Sequence, residues 1–208
     1  MSNVKVGIID CEISNLMSVY NAITFLGFSV DVVAAKSNLT DYSHLILPGV
    51  GSYREGARNL KKNGVGDKIL EMASSGVPIL GICLGMQLLS SQGTEHGESA
   101  GLGLIPGIVD KMLAGGAEIR LPHVGWNNVT FTKDSLLWRG LPSQSIFYFI
   151  HSYCYRSDTN EKYVSAKITY GNEHVVAVEY NNIFGVQWHP EKSQKAGLTV
   201  LNNFLKIC

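Results

Sequence analysis

Cys83 stands in the pentad Gly81-Ile82-Cys83-Leu84-Gly85, directly after the apolar run Val77-Pro78-Ile79-Leu80, and His189-Pro190-Glu191 follows more than a hundred residues later. A cysteine, a histidine and a carboxylate are the parts of a nucleophilic thiol site. The imidazole takes the thiol proton and returns it to a leaving amine, while the carboxylate holds the imidazole in the useful tautomer. A Gly-x-nucleophile-x-Gly turn between a strand and a helix is sharp and strained, and side chains in place of its glycines would clash. A thiol on such a turn lies at a helix N-terminus, where unpaired N–H groups and the helix dipole favour the thiolate over a thiol whose ordinary pKa is about 8.5. Taken singly, each residue has a plainer explanation: free cysteines are mostly small buried hydrophobes, and His189 reads as a strand-end histidine with a satisfied hydrogen bond. With 22 Gly and 4 Cys in 208 residues, chance supplies the pentad about 0.04 times and His-Pro-Glu about 0.01 times, so it is their conjunction that carries weight.

The elements that must hold these residues alternate. Val4 to Ile9 reads as a buried strand, and Leu16, Val19, Tyr20, Ile23 and Leu26 share one face of a helix ended by Gly27. Phe28 to Ala34 and His44 to Leu47 read as further strands. The latter runs into Pro48-Gly49-Val50-Gly51-Ser52, a turn able to expose backbone N–H groups, and then into helical sequence through Ser75. Strands alternating with helices imply an α/β fold with a mostly parallel central sheet and helices on both faces. Ligands bind such sheets beyond the carboxyl ends of the strands, where both the Cys83 elbow and the Pro48 to Ser52 turn would fall. After about Gly103 the pattern changes to a smaller antiparallel portion. Gly107 to Met112, Gly125 to Phe131, Ser145 to Phe149, Tyr163 to Thr169 and Val175 to Tyr180 read as short strands of a meander capping the sheet. Phe184 to Trp188 then delivers His189 from a strand end. Ser193 is positioned to cap a last helix with Ala196, Val200, Leu201 and Phe204 on its apolar stripe.

At 208 residues and 45% hydrophobic content, with no linker-like stretch, the chain is expected to form one domain over residues 1–208. Lys plus Arg equals Asp plus Glu at 17 each, so charge offers no case for a nucleic-acid or membrane-surface partner. Neither a signal-like N-terminus nor an apolar run approaching a membrane span is present, and the expectation is a soluble, cytoplasmic protein. Cys11, Cys83, Cys154 and Cys208 are far apart, and the six histidines form no zinc-type cluster, so neither a structural disulfide nor a metal is expected. No cofactor is expected either.

Pro48-Gly49-Val50-Gly51, Gly81 to Gln87 and His189-Pro190-Glu191, in that order, resemble the class I glutamine amidotransferases over nearly the whole chain. Pro122-His123-Val124-Gly125-Trp126-Asn127, His151-Ser152-Tyr153 and Phe184 to Ser193 resemble, within that family, the glutaminase subunits of imidazole glycerol phosphate synthase. The resemblance implies that Cys83 attacks the side-chain amide of L-glutamine, giving a glutamyl thioester and ammonia, with His189 and Glu191 completing the triad. It implies an oxyanion hole from the N–H of Leu84 and an N–H of the turn at Val50 or Gly51, each aligned donor being worth about 3 kcal/mol of barrier. Gly49, Gln87, Glu95, Ser152 and Tyr153 become candidates to hold the glutamine, although Glu95 lies in a polar stretch that would ordinarily be a solvated loop. The implied partner is a (β/α)₈ cyclase docked as a heterodimer over the site, making imidazole glycerol phosphate and an aminoimidazole ribonucleotide. Asn15, Pro122, His123, Trp126, Asn127 and Lys192 are the candidate contacts.

The chain departs from that pattern after its first strand, where Asp10-Cys11-Glu12-Ile13-Ser14 replaces a glycine-rich turn, and at Trp188, where phenylalanine is more usual. Those departures leave room for a paralogous glutaminase feeding ammonia to amidino-sugar synthesis. A partner-independent cysteine hydrolase is a further reading, distinguished by full activity without any docked subunit.

Overall fold

The computed structural model describes residues 4–12, 16–34, 37–113, 119–156 and 161–207. The first half alternates as expected: β1 (Lys5–Ile9), α1 (Leu16–Phe25), β2 (Ser29–Val33), β3 (His44–Gly49), α2 (Tyr53–Lys62), α3 (Val65–Ser74), β4 (Ile79–Cys83) and α4 (Leu84–Leu88). The helical run expected through Ser75 is broken in two. Gly64 takes a left-handed φ of 66°, which glycine adopts without a Cβ penalty, and it closes α2 and opens α3.

The second half supplies β5 (Ser90–Gly93), β6 (Ser99–Ala100), β7 (Ile105–Lys111), β8 (His123–Phe131), β9 (Gln144–His151), β10 (Tyr153–Arg156), β11 (Val164–Tyr170), β12 (Asn172–Tyr180), β13 (Ile183–Val186) and α5 (Gln194–Phe204). These strands do not cap the parallel sheet as a separate meander; they extend it. Among the described residues the strands form one sheet in the order β2-β1-β3-β4-β13-β12-β10-β7-β5-β6, with β11, β8 and β9 branching from β12. The pairings from β2 through β13 are all parallel, and β8 and β9 form an antiparallel ribbon. β5 and β6 flank the polar stretch that reads as loop from sequence: Gln92 and Gly93 end β5, and residues 94–98 form the turn that leads to β6.

Alternation along the parallel strands divides the interior into two cores. Val6, Ile8, Ile46, Leu80, Ile82 and Val186 meet α1 and α5 on one face. Ile9, Leu45, Leu47 and Ile79 meet α2, α3 and α4 on the other. Strands covered on both faces are apolar throughout, and β3, β4 and β13 are buried at every residue. This fixes the carboxyl ends of three central strands side by side, with Gly49 in register with Cys83 and Val186 with Ile82.

Candidate active site

The parallel register brings the Pro48 to Ser52 turn, the cysteine elbow and the approach to His189 onto one edge of the sheet. Cys83 has φ 55° and ψ −111°, a sparsely populated backbone conformation for a residue with a side chain. The elbow is held by close packing. A Cβ on Gly85 would lie 1.7 Å from the Leu47 carbonyl oxygen, and one on Gly81 would lie 2.7 Å from the Gly85 backbone. A Cβ on Gly49 would press on Leu84 at 3.0 Å. Glycine at these positions lets α4 sit directly against β3, which turns the Cys83 sulfur toward the cavity.

His189 leaves β13 through Gln187 and Trp188 and is clamped by its main chain. Its N–H donates to the Tyr148 carbonyl of β9 at 3.0 Å, and its carbonyl accepts from the Ser193 hydroxyl at 2.6 Å. The Ser193 oxygen also accepts from the Tyr148 N–H at 3.0 Å. Ser193 is therefore no side-chain cap for α5, as its position suggested; its hydroxyl is spent fastening the histidine.

His189 Nδ1 and Glu191 Oε1 are 2.8 Å apart, with both side chains almost wholly enclosed. A carboxylate facing Nδ1 fixes the proton there and leaves Nε2 for the sulfur. Burial opposes charge on this ring, yet the Cys83 sulfur and then the Glu191 carboxylate outweigh it, and the His189 pKa is pushed up to about 9. Nε2 makes no hydrogen bond of regular geometry, so the sulfur acts on it without full alignment. Such looseness is common in catalytic pairs before substrate arrives.

Cys83 and His189 open into a cavity of about 330 Å³, lined also by Val50, Gly51, Leu84, Gln87, Glu95, Pro122, Ile150, His151, Ser152, Tyr153 and Lys192. Two roomier hollows, of about 520 and 630 Å³, lie elsewhere; chemistry rather than volume marks the candidate site. Gln87 is buried and donates its amide N–H groups to the Tyr153 carbonyl at 3.1 Å and to Gln187 Oε1 at 3.0 Å. Glu95 is held by the Tyr53 N–H at 2.7 Å, where a carboxylate meets the positive end of α2.

The residues expected at a partner surface separate by strand parity. On β8, Trp126 is half exposed and Val124 accompanies it outward, whereas His123 is buried against Phe149 and Tyr170. Asn127 turns its amide to the Thr169 carbonyl and to His123. Successive side chains on a strand face opposite ways, so His123 faces inward and Trp126 outward, while Asn127 is partly exposed with its amide turned toward the protein. Pro122 and Lys192 lie at the cavity wall, Gly49 lies behind it, and Asn15 falls outside the described residues.

A polar side chain given no role from sequence, Gln187, and a contact between two histidines join this region. Gln187, fully buried one residue past the Val186 to Ile82 register, brings its amide nitrogen to 3.7 Å from Cys83 Sγ. His151 and His123 contact through Nε2 and Nδ1 at 3.2 Å. A lone polar residue inside the apolar run Phe184 to Trp188 was the available signal for Gln187.

Comparison with known proteins agrees with the geometry. A family model described as glutamine amidotransferase class-I matches residues 7–208. The chain is 45% identical over 199 residues to imidazole glycerol phosphate synthase subunit HisH of Moorella thermoacetica, covering 96% of this chain and 93% of that one. It is 41% identical over 200 residues to the subunit of the same name from Chlorobaculum tepidum, covering 96% and 98%. Among solved structures, a chain of PurLQS from Thermotoga maritima superposes with a TM-score of 0.78 at 20% identity, 97% of each chain being covered, which is a likeness of fold. With a match that begins inside β1 and runs to the last residue, the chain belongs to the class I glutamine amidotransferases.

Proposed function

We propose that this chain is the glutaminase subunit of an imidazole glycerol phosphate synthase, a single-domain protein that hydrolyses L-glutamine and passes ammonia to a cyclase subunit in histidine biosynthesis. The observation that carries the chemistry is the enclosed His189–Glu191 contact, at 2.8 Å, beside a cysteine on a strained elbow. The relatives named above are subunits of that synthase, which favours this reading over the amidino-sugar paralogue and over a free-standing hydrolase.

In this reading Cys83, as thiolate, attacks the amide carbon of glutamine. The tetrahedral oxyanion is met by the N–H of Leu84 and an N–H from Val50 or Gly51, and Gly49 keeps that turn close. His189 gives its Nε2 proton to the departing nitrogen, ammonia leaves, and a thioester remains. Water then adds to the thioester as His189 takes its proton, and glutamate departs with the thiolate restored. Both amide hydrogens of Gln87 are committed to protein oxygens, so its Oε1 is the atom left to accept from the substrate ammonium. The Glu95 carboxylate favours the same cation, and the backbone at Ser152 and Tyr153 receives the substrate carboxylate.

The exposed face of the β8–β9 ribbon supports a docked partner. Val124 lies opposite Ile150, and Trp126 opposite Tyr148, with Ile146 extending the patch. Ile150, Pro122 and Lys192 also line the cavity, so a (β/α)₈ cyclase seated on the ribbon would cover its mouth and keep ammonia from water. Free thiols at Cys11, Cys83 and Cys154 suit a reducing cytoplasm, and among the described residues no helix is long and apolar enough to cross a membrane.

Glutamate release by the purified chain, alone and with its own organism's ligand-loaded cyclase, tests the proposal. The expected result is feeble turnover alone, strong activation by the cyclase, loss of turnover in Cys83→Ala, and weakened activation in Trp126→Ala. Undiminished hydrolysis by Cys83→Ala would remove the thioester route, and equal turnover with and without cyclase would remove the partner.

A further inference from the structure

Gln187 lies opposite Cys83 because β13 and β4 run parallel in register up to Val186 and Ile82. Its side chain is wholly buried and makes two contacts: Oε1 with Gln87 Nε2 at 3.0 Å, and Nε2 with Cys83 Sγ at 3.7 Å. We infer that Gln187 is a further catalytic residue, whose amide N–H donates to the Cys83 sulfur and favours its thiolate form. This deepens the proposed glutaminase reading and rests on Cys83 being the nucleophile.

The direction of that hydrogen bond is set from the far end of a chain of polar groups. The Tyr153 carbonyl can only accept. It receives Gln87 Nε2 at 3.1 Å, so the Gln87 amide must face it with nitrogen. The second N–H of the same nitrogen then needs an acceptor, which is Gln187 Oε1. With its oxygen so engaged, Gln187 can turn only its N–H groups toward the sulfur, and a donor there favours the anion over the thiol. A sulfur accepting from Gln187 keeps its own hydrogen, while it has one, free for His189.

The other lone pair of the Tyr153 carbonyl is filled from the β8–β9 ribbon. His151 Nδ1 approaches it at 2.9 Å and must carry the hydrogen. Neutral His151 then accepts at Nε2 from His123 Nδ1, and His123 Nε2 faces the Asn127 amide at 3.4 Å. Burial lowers the His123 pKa to about 4 and the His151 pKa to about 3, so both are neutral under physiological conditions and the donor order persists. His123 and His151 are positioning residues: they hold the carbonyl from which the two glutamines take their orientation.

The test compares the wild-type chain, Gln187→Glu and Gln187→Met, each in a Cys208→Ser background, by the pH dependence of Cys83 alkylation with iodoacetamide. Cys11 and Cys154 stay silent because burial pushes both thiols up to about 12. Gln187→Glu preserves the acceptor for Gln87 but turns an oxygen to the sulfur, and Gln187→Met removes the donor without adding charge. The alkylation midpoint should rise by about one pH unit in the methionine variant, so that thiolate is about tenfold scarcer at any pH where the thiol form dominates, and further in the glutamate variant. Glutaminase kcat should fall in parallel with KM little changed. In wild-type protein labelled with ¹⁵N, the Gln187 side-chain amide signal should titrate with the same midpoint. A wild-type midpoint in either folded variant, or an amide signal blind to thiol ionisation, overturns the inference. Cys83→Ala separates the two readings: activity surviving there sinks the nucleophile itself, whereas a dead Cys83→Ala beside normal Gln187 variants sinks only the donor.

Discussion

At the scale of single residues, the charge on Glu191 does more than align a ring. Burial alone would lower the His189 pKa, and the sulfur and this carboxylate reverse that to reach about 9. Glu191→Gln keeps the shape and an acceptor for Nδ1 but removes the charge, so the imidazolium gives up its proton at lower pH. The alkaline limb of kcat/KM, where the proton donor to leaving ammonia is lost, should move down by about one pH unit. A profile unmoved from wild type would mean that the sulfur alone sustains the charge. The proposed triad was legible in sequence because each member sits in a short motif whose residue types state their chemistry. Gln187 was not, since a glutamine among apolar strand residues announces nothing until the strand beside it is known. His123, a candidate partner contact by resemblance, is buried instead, because the period of two on β8 sets it opposite to Trp126.

Elements were legible where their apolar patterns were strong. β1, β3 and β4 follow from continuous buried runs, and α1 from its single apolar face. The Gly64 break escaped notice because helical composition continues across it, and β5 and β6 escaped because their polar residues mimic a loop. The junction of β4 with α4 is the element on which the site depends most closely. Gly85→Ala would drive a methyl group into the Leu47 carbonyl at 1.7 Å, backbone against backbone, so that α4 must move away from β3. A loss of more than about 4 kcal/mol in folding stability is expected, at the severe end for single substitutions. Denaturant unfolding, or failure to obtain soluble protein, reads it. A variant within about 1 kcal/mol of wild type would mean that the elbow tolerates a looser seat than its contacts indicate.

For the whole molecule, buried histidines of opposite tendency set a window of stability against pH. His123 and His151 are held neutral by burial, with pKa values near 4 and 3, and burial lowers His44 and His174 in the same direction. Below the ordinary histidine pKa of about 6.5 the unfolded chain binds protons that the folded chain refuses, so acidification toward pH 4 lowers stability. His189 is raised, so above that same value the folded chain keeps a proton that the unfolded chain has lost. Stability therefore falls again as pH approaches 9. Unfolding free energy measured across pH 4 to 9 should peak near neutrality, with the acid slope reduced in His151→Gln; a level profile from pH 4.5 to 6.5 would contradict the histidine account. The expected α/β class followed from strand and helix alternation, while the joining of both halves into one sheet did not, because pairings such as β13 between β4 and β12 leave no local trace. That insertion has a consequence for folding. The proposed general base, His189, follows Cys83 by more than a hundred residues, and it reaches the cysteine only after β13 fills the gap between β4 and β12. Contacts of such long sequence separation form slowly. The sulfur thus lacks its imidazole partner until that long-range pairing is made, and the complete site comes into being with the closing of the sheet.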